Sequence, residues 1–186
     1  MKKIFEYIVN MIPYMLLSIP TFLFIRFFNY KMKKRNQING YHELGCILFF
    51  IFMTGLFSQT FTSIQSFSIN NISLNNINCI PFRVFTDTYQ EVVKNKHINY
   101  FIINFLGNII MFIPIGLMIP LLWNISNKKV ILLGFSISML IEFFQLFLSR
   151  GTDIDDLWLN TLGVAIGLLI YTSLSHNFTS KFKYKK

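Results

Sequence analysis

The stretch Ser138–Gly167 reads SMLIEFFQLFLSRGTDIDDLWLNTLGVAIG and places a short polar seam between two strongly apolar runs. The seam holds Asp153, Asp155 and Asp156, three of the eight acidic residues of the chain. A charged segment of this kind is usually a solvated turn. Here polar residues recur at helical spacing on both sides of it, which predicts two helices whose polar faces meet at the turn.

The composition of the whole chain places it among membrane proteins. Of its 186 residues, 53% are hydrophobic and only 13% are charged, whereas soluble domains carry about 25% charged residues. The apolar residues cluster in long runs. Most lysines behind the net charge of +9 lie beside those runs, which favours anchoring at an anionic lipid surface and disfavours nucleic-acid binding.

Five apolar segments are long enough to cross about 30 Å of hydrocarbon, which needs roughly 20 residues. Because a backbone inside a bilayer must satisfy its own hydrogen bonds, each segment is predicted to be a helix. The first segment is too long for a signal peptide and is expected to be retained. The chain is therefore predicted to be all-α, a polytopic transmembrane helical bundle in a single membrane domain (1–186), with about five transmembrane helices at about 7–28, 44–64, 100–123, 130–148 and 157–174.

The distribution of Lys and Arg predicts the orientation of these helices. With five spans, eleven of the 17 Lys and Arg residues fall on the side that holds the C-terminus, and six fall on the other side. Because basic loops are retained in the cytoplasm, the C-terminus is predicted to be cytoplasmic and the N-terminus to lie outside. Nearly all acidic residues fall on or near the outer side.

Polar residues inside the spans fall on single faces of three helices. Residues three or four apart share one helix face. In the predicted orientation all three polar faces lie near the outer ends of their helices, which predicts one polar pocket open toward the outer leaflet. The faces comprise Asn104 and Asn108 on the third helix, Ser138, Glu142, Gln145 and Ser149 on the fourth, and Asp156 and Asn160 on the fifth.

Glu142 is the strongest single candidate for a functional residue. A carboxylate inside hydrocarbon costs about 2.5 kcal/mol or more, so it normally faces a cavity or a partner. It is either a candidate general acid or base, or it pairs with Arg150 or with Asn104 and Asn108 to hold the helices together. Asp156 is a second candidate base, although it can also cap or favour a helix N-terminus, where negative charge is stabilised by about 0.3–1 kcal/mol. Asp153 or Asp155 can do the same, and three acids exceed what one cap needs.

No metal or cofactor is expected. The acidic residues offer hard oxygen ligands for a divalent cation, but DIDD (Asp153–Asp156) lacks the later glycine and glutamate of an EF-hand loop. The two cysteines belong to no Cys/His cluster.

Three features bear on packing. Gly163 and Gly167 form a small-xxx-small surface where another helix can approach closely. Pro114 and Pro120 are expected to kink the third helix, either around a cavity or for packing alone. Ile80, Pro81, Phe82 and Phe85 either dip into the outer interface or belong to an ordinary loop packed on the helix ends.

Three stretches resemble the VanZ-like family of membrane proteins. They are NINCIPF (Asn76–Phe82), NFLGNIIMFIPIGLMIP (Asn104–Pro120) and Ser138–Gly167, and the resemblance covers about residues 77–174. It implies a multi-pass protein in the cell membrane of Gram-positive bacteria, from a family whose namesake is linked to low-level teicoplanin resistance. The motif positions that carry over are Asn104, Gly107, Asn108, Phe112, Pro114, Gly116, Glu142, Gln145, Arg150, Asp153, Asp156, Asn160 and Gly163.

Residues and resemblance together predict a cell-envelope protein that contributes to glycopeptide resistance by binding an amphiphile in the polar pocket. The amphiphile is a membrane lipid, a lipid-linked precursor or a lipoglycopeptide. Arg150 is expected to hold its anionic group, and Glu142, Asp153 and Asp156 to orient Arg150 or bind a cationic part. Asn104, Asn108, Gln145 and Asn160 are expected to supply hydrogen bonds, and Gly107, Pro114, Gly116, Gly163 and Gly167 to be structural.

Two alternatives stay open. The first is a membrane enzyme that acts on a lipid or a lipid-linked cell-wall precursor, with Glu142 or Asp156 as its base. The second is a structural partner of another membrane complex. The sequence predicts no oligomeric state.

Overall fold

The computed structural model describes residues 2–33, 39–61, 77–148, 151–174 and 176–183, and these residues are almost entirely helical. The predicted all-α class is therefore confirmed. Two strands of two residues each, β1 (Ile77–Asn78) and β2 (Thr152–Asp153), pair in parallel. The helices are α1 (Lys2–Lys33), α2 (Gly40–Phe61), α3 (Arg83–Tyr89), α4 (Ile98–Tyr100), α5 (Gly107–Leu122), α6 (Asn127–Gln145), α7 (Ile154–Ser173) and α8 (His176–Ser180), with π-helical segments at Gln90–Lys94 and Phe101–Leu106.

The predicted polytopic bundle is also confirmed. In the described ranges, four helices are long and apolar enough to cross a membrane: Val9–Phe28, Gly40–Gln59, Ile98–Leu122 and Ile154–Ser173. They coincide with the first, second, third and fifth predicted spans. The fourth predicted span corresponds to α6, which is not among the four and carries Lys128, Lys129 and Glu142 within its 19 residues.

The turn between α6 and α7 differs in detail from the prediction. Helix α6 ends at Gln145, followed by a turn over residues 146–148, whereas the predicted span ran to 148. Helix α7 begins at Ile154 instead of 157 because Asp153 caps it, accepting a hydrogen bond from the backbone N–H of Asp155 at 2.8 Å. Such a cap satisfies a donor that the first helical turn leaves open, so the helix starts earlier than its apolar run.

Helices α5 and α7 form the centre of the bundle, and their backbones touch. A Cβ on Gly167 would lie 2.0 Å from the carbonyl oxygen of Ile113, and one on Gly163 would lie 2.2 Å from that of Ile109. On the α5 side, a Cβ on Gly116 would lie 1.9 Å from the Val164 carbonyl oxygen. The close approach expected at Gly163 and Gly167 is thus present, and α5 is the helix that makes it.

The remaining long helices pack around this pair. Helix α6 lies against α7, where Gly134 faces the side chain of Val164. Helix α1 packs mainly on α2, and α2 contacts α5 and α6. Only 6% of the apolar window of α1 is buried inside the protein, compared with 39% for Ile98–Leu122 and for α7. Helix α1 therefore presents most of its surface outward, as a lipid-facing helix does.

The segment after β1 packs on the start of α7. Strand pairing joins Ile77 to Thr152 and Asn78 to Asp153. The rings of Phe82 and Phe85 lie 5.6 and 6.0 Å from that of Trp158, yet the two phenylalanines stay 61% and 51% exposed. Packing on the helix ends is therefore present, and insertion of the exposed faces into the membrane interface stays a prediction.

Candidate functional site

The N-terminal ends of α5 and α7 and the C-terminal end of α6 meet at one end of the bundle. We call this region the acidic end. It contains four carboxylates, from Glu142, Asp153, Asp155 and Asp156. Each carboxylate accepts a hydrogen bond from a different part of the chain, so the acidic end is built by long-range contacts as well as by helical spacing.

Glu142 is buried in the last turn of α6, with 5% of its surface exposed. Its Oε2 accepts a hydrogen bond from the backbone N–H of Asp153 at 3.1 Å, and its carbonyl oxygen accepts one from the Thr152 hydroxyl at 3.3 Å. The carboxylate therefore fastens the end of α6 to the strand that leads into α7. This contact joins two helices, which is the role that the structural alternative gives Glu142, and its role as an acid or base stays a prediction.

Asp153 joins three segments through one oxygen. Its Oδ1 accepts from the backbone N–H of Asp155 and from Nδ2 of Asn78, each at 2.8 Å. The first contact caps α7, and the second fixes the strand β1 beside it. Capping, which the sequence allowed for several aspartates, thus belongs to Asp153.

Asp155 is completely buried and accepts three hydrogen bonds. Its Oδ1 accepts from the backbone N–H of Phe82 at 2.6 Å and from Nε1 of Trp158 at 2.8 Å, and its Oδ2 accepts from the backbone N–H of Val84 at 2.7 Å. A buried charge is tolerated when donors surround it in this way. Asp155 was not among the predicted binding residues; the presence of more acids than one cap requires was the signal that pointed to it.

The polar faces of α5 and α7 meet at Asn108 and Asp156. The Asn108 amide donates to Asp156 Oδ1 at 2.5 Å and to the carbonyl oxygen of Asn104 at 3.1 Å. The predicted pairing of the third and fifth polar faces is therefore present as a direct contact. Within the described residues, no hydrogen bond joins the half-buried side chains of Asn104 and Gln145 to this network.

Asn160 lies one helical turn deeper, between α7 and α6. Its Nδ2 donates to the hydroxyl of Ser138 at 2.8 Å, and both residues are buried. Its Oδ1 is buried and accepts no hydrogen bond from any described residue. Leaving a buried acceptor unsatisfied lowers the free energy of unfolding by about 1–3 kcal/mol. We call this oxygen an open acceptor, because it lies inside the protein without a donor among the described residues.

Two further groups of predicted residues lie outside this network. Arg150, with Ser149, lies outside the described residues, so its role as an anion holder stays a prediction. Gly107 begins α5 directly after the π-helical segment Phe101–Leu106, and Pro114 lies inside α5.

No three His, Cys, Asp or Glu side chains in the described part of the chain are grouped as a metal site. The residues that sequence reasoning missed are Asn78, Asp155 and Trp158.

Comparison with known proteins identifies one family. A family model described as VanZ/LLP1 matches residues 43–175, which is 133 of the 186 residues. The match begins in α2 and runs through α7, so it includes every element of the acidic end. Helix α1 lies outside it. No curated protein and no solved structure matches the chain.

Proposed function

The chain belongs to the VanZ/LLP1 family, and on that premise we propose that it is a Gram-positive cell-envelope protein whose acidic end binds an amphiphile. The ligand is a lipid, a lipid-linked wall precursor or a lipoglycopeptide of the teicoplanin type. In the predicted orientation the acidic end lies in the outer leaflet, where such molecules act. Binding there lowers the access of the drug to its target and so contributes to glycopeptide resistance.

The observation that carries this proposal is the set of unused amide groups beside the carboxylates. Asn104 and Gln145 have half-buried side chains outside the hydrogen-bond network of the described residues, and Asn160 has a buried open acceptor. The half-buried amides of Asn104 and Gln145 stay accessible, and a buried acceptor such as that of Asn160 is normally satisfied, so a ligand that brings its own donors and acceptors fits this set. Hydroxyl and amide groups on a lipid-anchored sugar or peptide supply both.

In this proposal, the charged residues contact different parts of the ligand. Arg150 follows the polar face of α6, and its guanidinium matches a phosphate or carboxylate in a bidentate manner. Glu142, Asp153 and Asp156 orient Arg150 or contact a cationic part of the ligand. The glycine contacts between α5 and α7 keep these groups in place, because touching backbones leave little freedom for the helices to slide.

The test removes the unused amides without touching the folded network. We expect the double variant Asn104→Ala, Gln145→Ala to reach the membrane at the wild-type level, because neither side chain bonds to another described residue. In a teicoplanin-sensitive host, this variant should lower the inhibitory concentration of teicoplanin to that of cells without the protein. Ser136→Ala is the matched control, since that exposed hydroxyl bonds only to Leu132 of its own helix. Full protection by the double variant contradicts the proposal.

The burial of Glu142 also favours the enzymatic alternative, with this carboxylate as the base acting on a lipid-linked precursor. Glu142→Gln keeps the size of the side chain and an oxygen that accepts from Asp153, but it removes the base. Full activity of that variant in the same assay rules out proton transfer by Glu142 and leaves amphiphile binding in place.

A further inference from the structure

A second polar site lies at the opposite end of α5. Asn108 and Leu122 mark the two ends and are 14 residues apart, which is about 21 Å along the helix axis at 1.5 Å per residue. Beside Leu122 is a cavity of about 670 Å³ between α1, α2, the end of α5 and the C-terminal segment. We call it the basic pocket. Its lining includes Arg26, His42, Lys183, Phe49, Phe50 and Trp123.

Two cations line the pocket, Arg26 and Lys183, and none of its described lining residues is acidic. Arg26 forms a two-point ion pair with Glu43, in which its Nε donates to Oε2 at 2.5 Å. The partner of Lys183 is neutral: its Nζ donates to the Tyr171 hydroxyl at 3.2 Å and lies 5.8 Å from the centre of that ring. Within the described residues, one carboxylate therefore balances two cations.

The polar side of the pocket is shaped by the C-terminal segment. His42 Nδ1 lies 2.7 Å from the carbonyl oxygen of Phe182, which accepts, so Nδ1 carries the proton. Asn39 donates to the carbonyl oxygens of Lys181 and Lys183, each at 2.8 Å. These bonds hold the segment against the start of α2 and so place the Lys183 ammonium at the pocket.

The other side of the pocket is aromatic. The rings of Phe49 and Trp123 contact each other edge to face at 5.5 Å, and Phe22 contacts Phe50 at 5.4 Å. A volume of this size accommodates a headgroup and part of a chain. Tryptophan beside basic residues is typical of the membrane interface, where basic pockets between helices bind anionic lipid headgroups.

We propose that the basic pocket binds the phosphate group of an anionic phospholipid, with Arg26 and Lys183 at the phosphate and an acyl chain along the aromatic side. The Lys/Arg distribution predicts this end to be cytoplasmic. The site is thus separate from the acidic end and binds a structural lipid of the opposite leaflet.

The test uses the purified full-length protein in a neutral detergent and measures its melting temperature with phosphatidylglycerol, with phosphatidylcholine or with inorganic phosphate. Phosphatidylglycerol is expected to stabilise the protein well beyond either of the others. Equal stabilisation by phosphatidylcholine overturns the charge selectivity, and equal stabilisation by inorganic phosphate overturns the lipid as the source. These three measurements use the wild-type protein, so their outcome does not depend on whether a substituted protein folds.

Substitutions then test whether the stabilisation by phosphatidylglycerol arises from binding in the basic pocket. Lys183→Gln is expected to weaken phosphatidylglycerol binding about tenfold, as the loss of one charge-assisted contact does. Lys183→Arg should restore it. Lys129→Gln makes the same change in charge at an exposed residue of α6 and should bind as the wild type does. Wild-type affinity in Lys183→Gln, or an equal loss in Lys129→Gln, overturns the proposal.

Discussion

The pair α5–α7 and the pair α1–α2 solve the same packing problem in different ways. In α5–α7, glycines bring the two backbones into contact, and 39% of each apolar window is buried. In α1–α2 the buried shares are 6% and 22%, and Gly55 of α2 lies against the flexible side chains of Met11 and Met15. The first pair is a rigid centre, whereas the second is a looser addition at its side.

The difference shows what holds a helix pair together in lipid. Lipid tails are as apolar as leucine, so the contact of apolar faces alone contributes little to helix association. Close backbone packing and polar contacts between the helices therefore determine how strongly a pair associates. The central pair has both kinds of contact, with Asn108–Asp156 at its polar end. The outer pair has the Arg26–Glu43 ion pair and the contact between the rings of Phe22 and Phe50, and a cavity lies beside it.

The largest effect is expected from Gly167→Val in the central pair. The new side chain would meet the Ile113 carbonyl oxygen at 2.0 Å, and a backbone atom there moves only if the helices separate. We expect the free energy of unfolding to fall by more than about 4 kcal/mol, so that size-exclusion chromatography in detergent recovers little folded protein. Gly40→Ala is the control, since nothing lies within 4 Å of its Cβ. Normal recovery of Gly167→Val contradicts the close packing.

A smaller effect is expected from Asp155→Asn at the polar end of the same pair. Three N–H donors converge on this carboxylate, and the amide group of asparagine replaces one acceptor by a donor. The free energy of unfolding should fall by about 2–3 kcal/mol, and residues 77–89 should be cleaved faster by a protease. Asp87→Asn, which breaks the exposed ion pair with Arg83, should cost at most about 0.5 kcal/mol. Equal melting temperatures for the two variants would remove the structural role of Asp155.

The smallest effect is expected from Gly55→Ala in the outer pair. Its Cβ would lie 2.9 Å from the terminal methyl of Met11 and 3.2 Å from the sulfur of Met15. Both atoms end flexible side chains that can move aside, so the change should cost less than about 1 kcal/mol. Gly163→Ala, against the Ile109 carbonyl oxygen at 2.2 Å, is the comparison in the central pair. If Gly55→Ala lowers the melting temperature as much as Gly163→Ala, the contrast between the pairs is wrong.

Much of the architecture was predictable because it depends on local periodicity. The lengths of the apolar runs predicted five helices, and the spacing of Gly163 and Gly167 predicted a close helix contact. The polar faces of three helices were also predicted to converge, and direct contacts now join Asn108 to Asp156 and Asn160 to Ser138. The roles of these residues in binding, and the orientation of the termini, stay predictions.

Other features required the folded chain. Asp155 accepts from Phe82 and Val84, more than 70 residues away, and the basic pocket combines α1, α2, the end of α5 and Lys183. The order of the residues is enough to show which of them share a helix face, because the rise and rotation per residue are properties of the backbone. Which donor meets which carboxylate follows from how the helices cross and where the chain returns, so it is visible in the folded protein alone.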